Sequence, residues 1–368
     1  MNKKVCHITS AHSRYDVRIF IKECASLAKN GYDVTLIVND NKPSEINKGV
    51  KIVSTKFKPR NRLERFLNSK KLLLAKAVEV DADIYHLHDP DLLPLGNKLK
   101  RKGKKVVFDS HEDVLNQIMD KPWIPSIMRG IVSKVYSIYE KFSLKNYDAV
   151  ISVTPHIVER LSKINPNTVM ITNYPIIKSN NIVYSKGSNN ICFAGGVTEQ
   201  YHHENIISAI EHIDDVKYIL AGSSTGEYVT RLKSLPGWRK VEYLGFISHS
   251  EVEKIYSKSA LGIALHYSNQ AKNEGTLGVV KLFEFMAAGL PVICSDYRLW
   301  KEIVEGNNCG ICIDPNNVQE ITKTINYILN NPEKAKKMGE NGRKAAVEKY
   351  NWGTQEKVLL DLYDKILG

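Results

Sequence analysis

The sequence predicts an α/β protein made of two doubly wound domains that face a cleft. Its 368 residues suffice for two domains that each bury a core. Apolar runs of strand length alternate with segments of helix length, and each run is apolar throughout, which is typical of parallel strands buried on both faces. Ligands of such sheets bind beyond the carboxyl ends of the strands, so functional residues are expected directly after the predicted strands.

The predicted strands form two sets of six. The first set is VCHIT, DVTLIVN, DIYHLH, KVVFDS, AVISVT and VMITN, and the second is NICFAGG, KYILAGS, VEYLGF, LGIAL, LPVICS and GICID. Between them, residues 175–190 are polar, contain Pro175 and Gly187, and show no helical or strand period, which predicts a linker. We therefore predict domains over residues 1–177 and 178–350, and a C-terminal helix over 351–368 that packs back toward the first domain.

The composition is that of a globular protein, with 43% hydrophobic and 25% charged residues. The formal charge of +12 is unevenly distributed, because residues 1–177 carry 30 Lys and Arg against 18 Asp and Glu, whereas the rest of the chain is balanced. Such an excess attracts phosphates on a membrane, a nucleic acid or an acceptor, or it forms only a solvated face. No nucleic-acid-binding motif is found, so we do not expect a nucleic-acid partner.

Two features predict a reducing, cytoplasmic setting. The chain shows neither a signal peptide nor a segment that could span a membrane. Its six cysteines are scattered through apolar runs, and Cys309 and Cys312 lack the second pair that a zinc site of this spacing requires. We expect structural thiols.

The segment from Lys121 to Lys145 mixes apolar side chains with lysines and Arg129. A basic amphipathic helix of this kind can lie in a membrane interface, and packing against the sheet explains its apolar stripe equally well.

The most informative stretch is EGTLGVVKLFEFMAAGLPVICS, which begins at Glu274. A glycine-containing loop leads into a helix predicted from Val279 to Ala288, with Gly289 and Pro291 as stop signals. The amide groups at such a helix N-terminus suit a diphosphate. Glu284 lies among apolar residues in this helix, where a carboxylate needs a partner and can accept the hydroxyls of a ribose.

Here the sequence resembles a known family. KLFEFMAAGLPVICSD is similar to the signature of the family 4 glycosyltransferases of GT-B fold, and DSHE, ADIYHLHDPDLLPLG, the LGF turn at 244–246 and the terminal YNW also resemble that family. The resemblance implies two Rossmann-like domains and a retaining enzyme that uses a nucleotide sugar without a metal or other cofactor.

The resemblance also implies roles for individual residues. Glu284 would bind the ribose, and His111 would point at the donor sugar, with Asp16 and Glu112 as further catalytic candidates; Asp16 is alternatively the helix cap, and His111 a packed residue at a strand end. The other donor-binding candidates are Gly195, Gly196, Gly245, Phe246, Gly278, Val279, Val280, Lys281 and Leu282.

The sequence departs from the family pattern at the diphosphate. Thr276 stands where the family has the first Glu of its E-x7-E motif, and Gly196 replaces an arginine; Tyr201, His202 and His203 occupy the region of a lysine. We therefore take as candidates for the diphosphate Lys281, Arg14, Arg18 and Lys272.

His86, His88, Asp89 and Asp91 lie close together in sequence and could suggest a metal site. Pro90 and the lack of a second acidic cluster argue against it, so we expect no metal there and an acceptor-side or structural role.

The sequence thus predicts transfer of a hexose from a UDP- or GDP-sugar to a glycan or lipid-linked acceptor in cell-surface polysaccharide synthesis, at an anionic membrane surface. The alternative is a nucleotide-sugar epimerase of the same fold, which would convert the donor without an acceptor.

Overall fold

The computed structural model describes residues 3–61, 64, 68–111, 113–120, 124–177, 188–267 and 274–368. The chain divides into two units: unit 1 comprises Met1–Asn173 and Gly353–Gly368, and unit 2 comprises Tyr174–Trp352. The observed boundary lies four residues before the predicted one, and residues 353–368 belong to unit 1. Residues 178–187 of the predicted linker, Glu112, Lys272 and residues 121–123 of the predicted amphipathic segment lie outside the described residues.

Unit 1 contains an eight-stranded sheet in the order β3-β4-β2-β1-β5-β6-β7-β8. Its strands are β1 Lys4–Ile8, β2 Asp33–Val38, β3 Glu45–Asn47, β4 Val50–Ser54, β5 Ile84–Leu87, β6 Lys105–Ser110, β7 Ala149–Ser152 and β8 Thr168–Met170. All neighbours are parallel except β3 and β4, which the sequence analysis did not predict. The prediction missed β4 because only alternate residues of this near-edge strand are fully buried, so it lacks the continuous apolar run of the central strands.

The helices of unit 1 connect these strands. They are α1 Val17–Cys24, which has π-type turns and continues as Ala25–Lys29, then α2 Lys70–Val80, α3 Leu93–Arg101, α4 Val114–Asp120, α5 Ser126–Leu144 and α6 Pro155–Ser162. Asp16 begins α1 by accepting hydrogen bonds from the amides of Arg18 and Ile19 at 2.8 and 2.9 Å. The C-terminal helix of the chain, α14 Trp352–Leu367, contributes Tyr363 to the interior of this unit.

Unit 2 is a six-stranded parallel sheet in the order β11-β10-β9-β12-β13-β14. Its strands are β9 Asn190–Ala194, β10 Lys217–Ala221, β11 Val241–Gly245, β12 Leu261–Ala264, β13 Val292–Ser295 and β14 Gly310–Ile313, all at predicted positions. Its helices are α7 His203–Glu211, α8 Gly226–Lys233, α9 His249–Ser257, α10 Val280–Ala287, α11 Arg298–Val304, α12 Val318–Leu329 and α13 Pro332–Glu348.

Two apolar clusters fill unit 2, one on each face of its sheet, and the prediction of doubly wound α/β domains is confirmed. All six cysteines of the chain are free and buried. Cys312 does not pair with Cys309; its sulfur lies 3.5 Å from that of Cys294 on the neighbouring strand.

Candidate functional site

Two hydrogen bonds from α11 hold the loop before α10 in place. Trp300 Nε1 donates to the carbonyl oxygen of Thr276 at 2.9 Å, and the Leu299 amide donates to the carbonyl oxygen of Glu274 at 3.0 Å. Gly275 has φ +83°, and a Cβ there would come within 2.8 Å of Tyr297, so the turn requires glycine. The N-cap residue of α10 is Val279, which offers no side-chain acceptor to the first amides of the helix. These amides and the helix dipole favour an anionic ligand.

Glu284 lies in the second turn of α10 and has two partners. Its Oε2 accepts a hydrogen bond from Tyr256 Oη at 2.8 Å and one from Lys281 Nζ at 2.8 Å. Burial raises the pKa of Glu284, but the charge and hydrogen bond of Lys281 and the hydroxyl of Tyr256 outweigh it, so the pKa is lower than usual. The result is an ionised, partly buried carboxylate that can accept hydrogen bonds from neutral hydroxyls.

The glycines after β9 and β10 bring the backbone close to Lys281. A Cβ on Gly195 would lie 3.1 Å from Lys281 Cε, so this strand end and α10 meet. A Cβ on Gly222 would collide with the carbonyl oxygen of Gly195 at 1.5 Å, so only glycine fits there. Gly195, Lys281 and Glu284 of the predicted donor site therefore lie together in unit 2.

The remaining donor-binding candidates are distributed along the edges of the same sheet and helix. Gly245 has φ +64°, and its carbonyl oxygen accepts from the amide of Gly222 at 2.7 Å. Phe246 follows it with 82% of its surface exposed. Gly196 follows Gly195 directly, Gly278 precedes Val279, and Val280 and Leu282 belong to α10, where Leu282 is buried in the core.

The residues that replace the family's lysine region form an aromatic group rather than a cationic one. Tyr201 packs edge-on against His266 with ring centroids 5.1 Å apart, and His203 Nδ1 meets Tyr218 Oη at 2.9 Å. Burial lowers the pKa of His203 to about 3 and that of His266 to about 4, and it also lowers the pKa of His202. These imidazoles are neutral near pH 7, so they do not supply the missing positive charge.

In unit 1, the residues after β1 and β6 converge. His111 Nδ1 lies 3.4 Å from Asp109 Oδ2, and His111 Nε2 lies 3.3 Å from His12 Nε2. His12 Nδ1 in turn lies 3.5 Å from Asp16 Oδ2. Burial raises the pKa of Asp16, but the hydrogen bonds from His12 and the α1 amides outweigh it and lower the pKa to about 2. Asp16 is thus both the cap of α1 and part of a polar group with His111.

The two arginines proposed for the diphosphate are neutralised within unit 1. Arg14 donates to Asp40 and Glu45, each at 2.7 Å. Arg18 binds both oxygens of Asp109, at 2.7 and 2.9 Å, and the carbonyl oxygen of Ile171 at 3.0 Å. Because both guanidinium groups are buried with carboxylates, their surroundings do not support the assignment to the diphosphate. Among the described candidates, Lys281, which lies on α10, remains for the diphosphate.

The structure separates the four residues of the HLHDPD segment into two pairs. Asp89 accepts from Thr9 Oγ1 and the Ser10 amide, both at 2.7 Å, and Asp91 accepts from Ser10 Oγ at 2.8 Å. His86 and His88 instead turn into the interior beside His7 and Glu23. The predicted structural role therefore fits the aspartates, whose hydrogen bonds stabilise the turn after β1.

Sequence reasoning missed several residues of both sites. Tyr256 and Gly222 support Glu284 and Gly195, but neither belongs to the motif that drew attention to α10. His7 and Glu23 were missed as well, although a histidine within the buried run VCHIT requires a partner and was an available signal.

Comparison with known proteins agrees with the fold and the site. A model of the glycosyl transferases group 1 matches residues 177–345, and a model of Glycosyltransferase Family 4 matches residues 18–173, so that the two cover most of the chain. An uncharacterised glycosyltransferase of Methanocaldococcus jannaschii is 30% identical over 178 residues, which is 47% of this chain and 44% of the relative. The aligned part of the chain spans about half the length of the curated relatives it matches.

Solved structures match over the full length. Sucrose-phosphate synthase from Thermosynechococcus elongatus has a TM-score of 0.79 at 18% identity, and the match covers 100% of this chain and 99% of that one. HepE of Anabaena, solved with UDP and glucose, has a TM-score of 0.71 at 14% identity, with 99% and 100% covered. The fold is thus that of the GT-B glycosyltransferases. With a matching family model on each unit, the chain belongs to the family 4 glycosyltransferases.

Proposed function

We propose that this glycosyltransferase moves a hexose, with retention of configuration, from a UDP- or GDP-sugar to a glycan or lipid-linked acceptor in cell-surface polysaccharide synthesis. The observation that carries the proposal is the ionised carboxylate of Glu284, placed in the second turn of α10 with Lys281 and Gly195 beside it. A ribose at this carboxylate puts the diphosphate of the same nucleotide toward the helix N-terminus.

Two considerations support a nucleotide sugar as the donor. The amides at the start of α10 and the ammonium group of Lys281 suit a diphosphate, and the ribose hydroxyls suit Glu284. The similar Anabaena HepE was solved with UDP and glucose. Which nucleotide and which hexose the chain prefers is the first question for experiment.

We further propose that transfer uses neither a metal at the diphosphate nor any other cofactor. Negative charge that develops on the departing diphosphate would be stabilised by the α10 amides and by Lys281. The remainder of the rate enhancement would come from holding the donor and the acceptor close together in the orientation that the reaction requires. The catalytic roles of His111, Asp16 and Glu112 rest on the family resemblance and stay predictions.

A thermal-shift screen of nucleoside diphosphates and their sugars tests the proposal. The preferred ligand at 100 times its dissociation constant should add about 2.7 kcal/mol of stability to the wild type. The shift should be reduced by half or more in Glu284→Gln and kept in Glu274→Gln, because the Glu274 carboxylate pairs with Arg298 on α11. Equal shifts in both variants contradict the ribose assignment, and conversion of the donor without acceptor points to an epimerase instead.

The helix α5 supports a membrane-bound acceptor. Its exposed apolar side chains recur at helical spacing along one stripe, formed by Ile127, Ile131, Val135, Ile138 and Phe142. Lys134, Lys141 and Lys145 lie on or next to the same helix, and the net positive charge of the chain resides in residues 1–177. We therefore propose that α5 lies on an anionic membrane at its cytoplasmic face, where lysines meet lipid phosphates and the stripe enters the interface. In the described residues, no helix is long and apolar enough to cross a membrane.

Flotation with vesicles tests the membrane proposal. The chain should float with anionic vesicles and much less with zwitterionic ones, and added salt should weaken binding. The double variant Ile131→Ser/Ile138→Ser should lose flotation, whereas Ile46→Ser, at an equally exposed position on the edge strand β3 of unit 1, should keep it. Salt-insensitive binding, or none, contradicts the proposal.

A further inference from the structure

A fully buried group of three histidines and one glutamate lies in unit 1. His7 lies on β1 and His86 on β5, and the two are register partners in neighbouring strands. His88 directly follows β5, two residues after His86 and on the same face, and Glu23 lies on α1. None of the four side chains has any exposed surface.

The spacing of their ligand atoms is that of a four-coordinate metal site. His7 Nδ1 lies 2.9 Å from His88 Nε2. Glu23 Oε2 lies 3.9 Å from His7 Nδ1, 3.8 Å from His88 Nε2 and 3.9 Å from His86 Nδ1. Nitrogen and oxygen ligands at zinc distances of about 2.0–2.2 Å in a tetrahedron lie about 3.3–3.5 Å apart. All four ligand atoms lie within 4.8 Å of one another, so small side-chain shifts would bring them to tetrahedral spacing around a point that one zinc ion could occupy.

Among these four residues, Glu23 has an ion-pair neighbour, Arg18, but no hydrogen bond to a described residue. Within the described part of the chain, neither carboxylate oxygen has a hydrogen-bond partner. Arg18 Nε lies 3.1 Å from Glu23 Oε1, but the donors of this guanidinium point to Asp109 and the carbonyl oxygen of Ile171. A buried carboxylate without hydrogen bonds is costly, and a coordinated cation would satisfy it.

The outer contacts orient two of the imidazoles toward that point. His88 Nδ1 lies 3.3 Å from Asp109 Oδ2, so a proton on Nδ1 leaves the lone pair of Nε2 facing inward. His7 Nε2 lies 3.3 Å from Tyr363 Oη, which leaves Nδ1 as its inward atom. A carboxylate or hydroxyl behind a histidine is the usual support of a metal ligand. His86 Nδ1, the atom that lies 3.9 Å from Glu23 Oε2, also lies 2.8 Å from Tyr363 Oη, so binding a metal would replace this hydrogen bond. His86 Nε2 has no partner among the described residues.

We propose that His7, Glu23, His86 and His88 bind one zinc ion that holds β1, β5 and α1 together. Imidazole and carboxylate ligands in a four-coordinate set suit zinc, and four protein ligands without exposure define a structural rather than a catalytic site. This revises the sequence-based expectation that the HLHDPD segment binds no metal: the two histidines find their further ligands on β1 and α1, not in Asp89 and Asp91.

The metal content of the full-length wild type tests this directly. After exposure to zinc and removal of loosely bound metal on a desalting column, elemental analysis should find about one zinc per chain, as one tetrahedral site requires. Cobalt in place of zinc should give the visible absorption of four-coordinate Co²⁺, and a strong chelator should lower the unfolding temperature by several degrees. Absence of stoichiometric metal, together with an unfolding temperature that zinc and chelator leave unchanged, overturns the proposal.

Matched variants locate the site. Glu23→Gln keeps the shape of the side chain and should lower zinc content at least tenfold at micromolar zinc. His203→Gln, at a buried histidine of unit 2, and His111→Gln, which belongs to the neighbouring group with His88 and Asp109, should retain zinc. Retention in Glu23→Gln with loss in His111→Gln would move the metal to that neighbouring group and contradict the assignment. Should Glu23→Gln not fold, the cobalt spectrum of the wild type decides.

Discussion

The two units share an architecture but differ in what they bury. Unit 1 buries Arg, Lys, Asp and Glu side chains in its interior, namely Arg14, Arg18, Lys22, Glu23, Asp89, Asp109 and Glu140. Over the described ranges of unit 2, the buried polar side chains are only His203, Ser259, His266, Ser295 and Thr324. Apolar side chains pack both sheets, and unit 1 adds charged groups to its buried interior.

In unit 1, the buried charges of Arg18 and Asp109 are paired with each other in the interior, whereas the charged pair on α10 of unit 2 is partly accessible. Arg18 is surrounded by Asp109, Glu23 and a backbone carbonyl, and all three of these side chains are buried. In unit 2, Glu284 and Lys281 stand at the edge of an otherwise apolar cluster, are partly accessible, and bind each other, with Tyr256 as a further partner of Glu284. Few polar groups at an accessible edge are typical of a ligand site.

The largest effect is expected from breaking the charge network of unit 1. Arg18→Ala leaves Asp109 buried without its cation, so the free energy of unfolding should fall by about 3–5 kcal/mol. Arg14→Ala, whose partners Asp40 and Glu45 are partly exposed, should cost less. Urea titration followed by circular dichroism measures both. An Arg18 variant as stable as the wild type would contradict the contrast between the units.

A smaller effect concerns the neutral histidine of unit 2. Burial lowers the pKa of His203 to about 3, below the value of about 6.5 in an unfolded chain, so its contribution to stability is present above pH 6.5 and is lost as the pH falls toward 3. Because glutamine does not titrate, His203→Gln should lose about 2 kcal/mol less than the wild type between pH 6.5 and 5. Urea titrations at both pH values measure the difference. Identical acid sensitivity would show that His203 takes up a proton without cost.

The smallest effect compares helix caps in the two units. Asp16→Ala should destabilise the chain by about 1 kcal/mol, since two amides of α1 lose their acceptor. Asn317→Ala removes a single such bond, to the Glu320 amide at 3.1 Å, and should cost no more. Asp16→Asn should restore most of the loss. A cost well above that of Asn317→Ala, not restored by asparagine, would assign the stabilisation to the charge of Asp16 beside His12.

Unit 2 could be predicted from the sequence in more detail than unit 1. The central strands of its sheet are largely apolar runs, and the edge strand β11, although it alternates in burial, was recognised from its apolar residues and the turn after it. The helix predicted from Val279 to Ala288 is observed as Val280–Ala287. In unit 1 the strands β3 and β4 were not predicted, because β3 is a short antiparallel edge strand and β4 alternates in burial. Both lack the pattern by which buried parallel strands are recognised.

The sequence predicted those parts of the candidate site whose residues lie close together in the chain. Glu284, Lys281 and the glycine loop lie within one helix and its approach. The partners of Arg18 are Asp109 and Ile171, far along the chain, and nothing in the local pattern distinguishes a buried arginine from one that faces a ligand. Tyr256 was missed for the same reason, because its hydroxyl meets Glu284 only through the packing of α9 beside α10.

The central claim is that unit 2 holds the ribose through Glu284 and the diphosphate through Lys281. Calorimetric titration of the preferred nucleoside and its diphosphate into the wild type, Glu284→Gln and Lys281→Met tests it most directly. Glu284→Gln should weaken both ligands about 10- to 100-fold, as expected when a charge-assisted hydrogen bond is lost, whereas Lys281→Met should weaken the diphosphate more than the nucleoside. Undiminished nucleoside binding by Glu284→Gln would contradict the account.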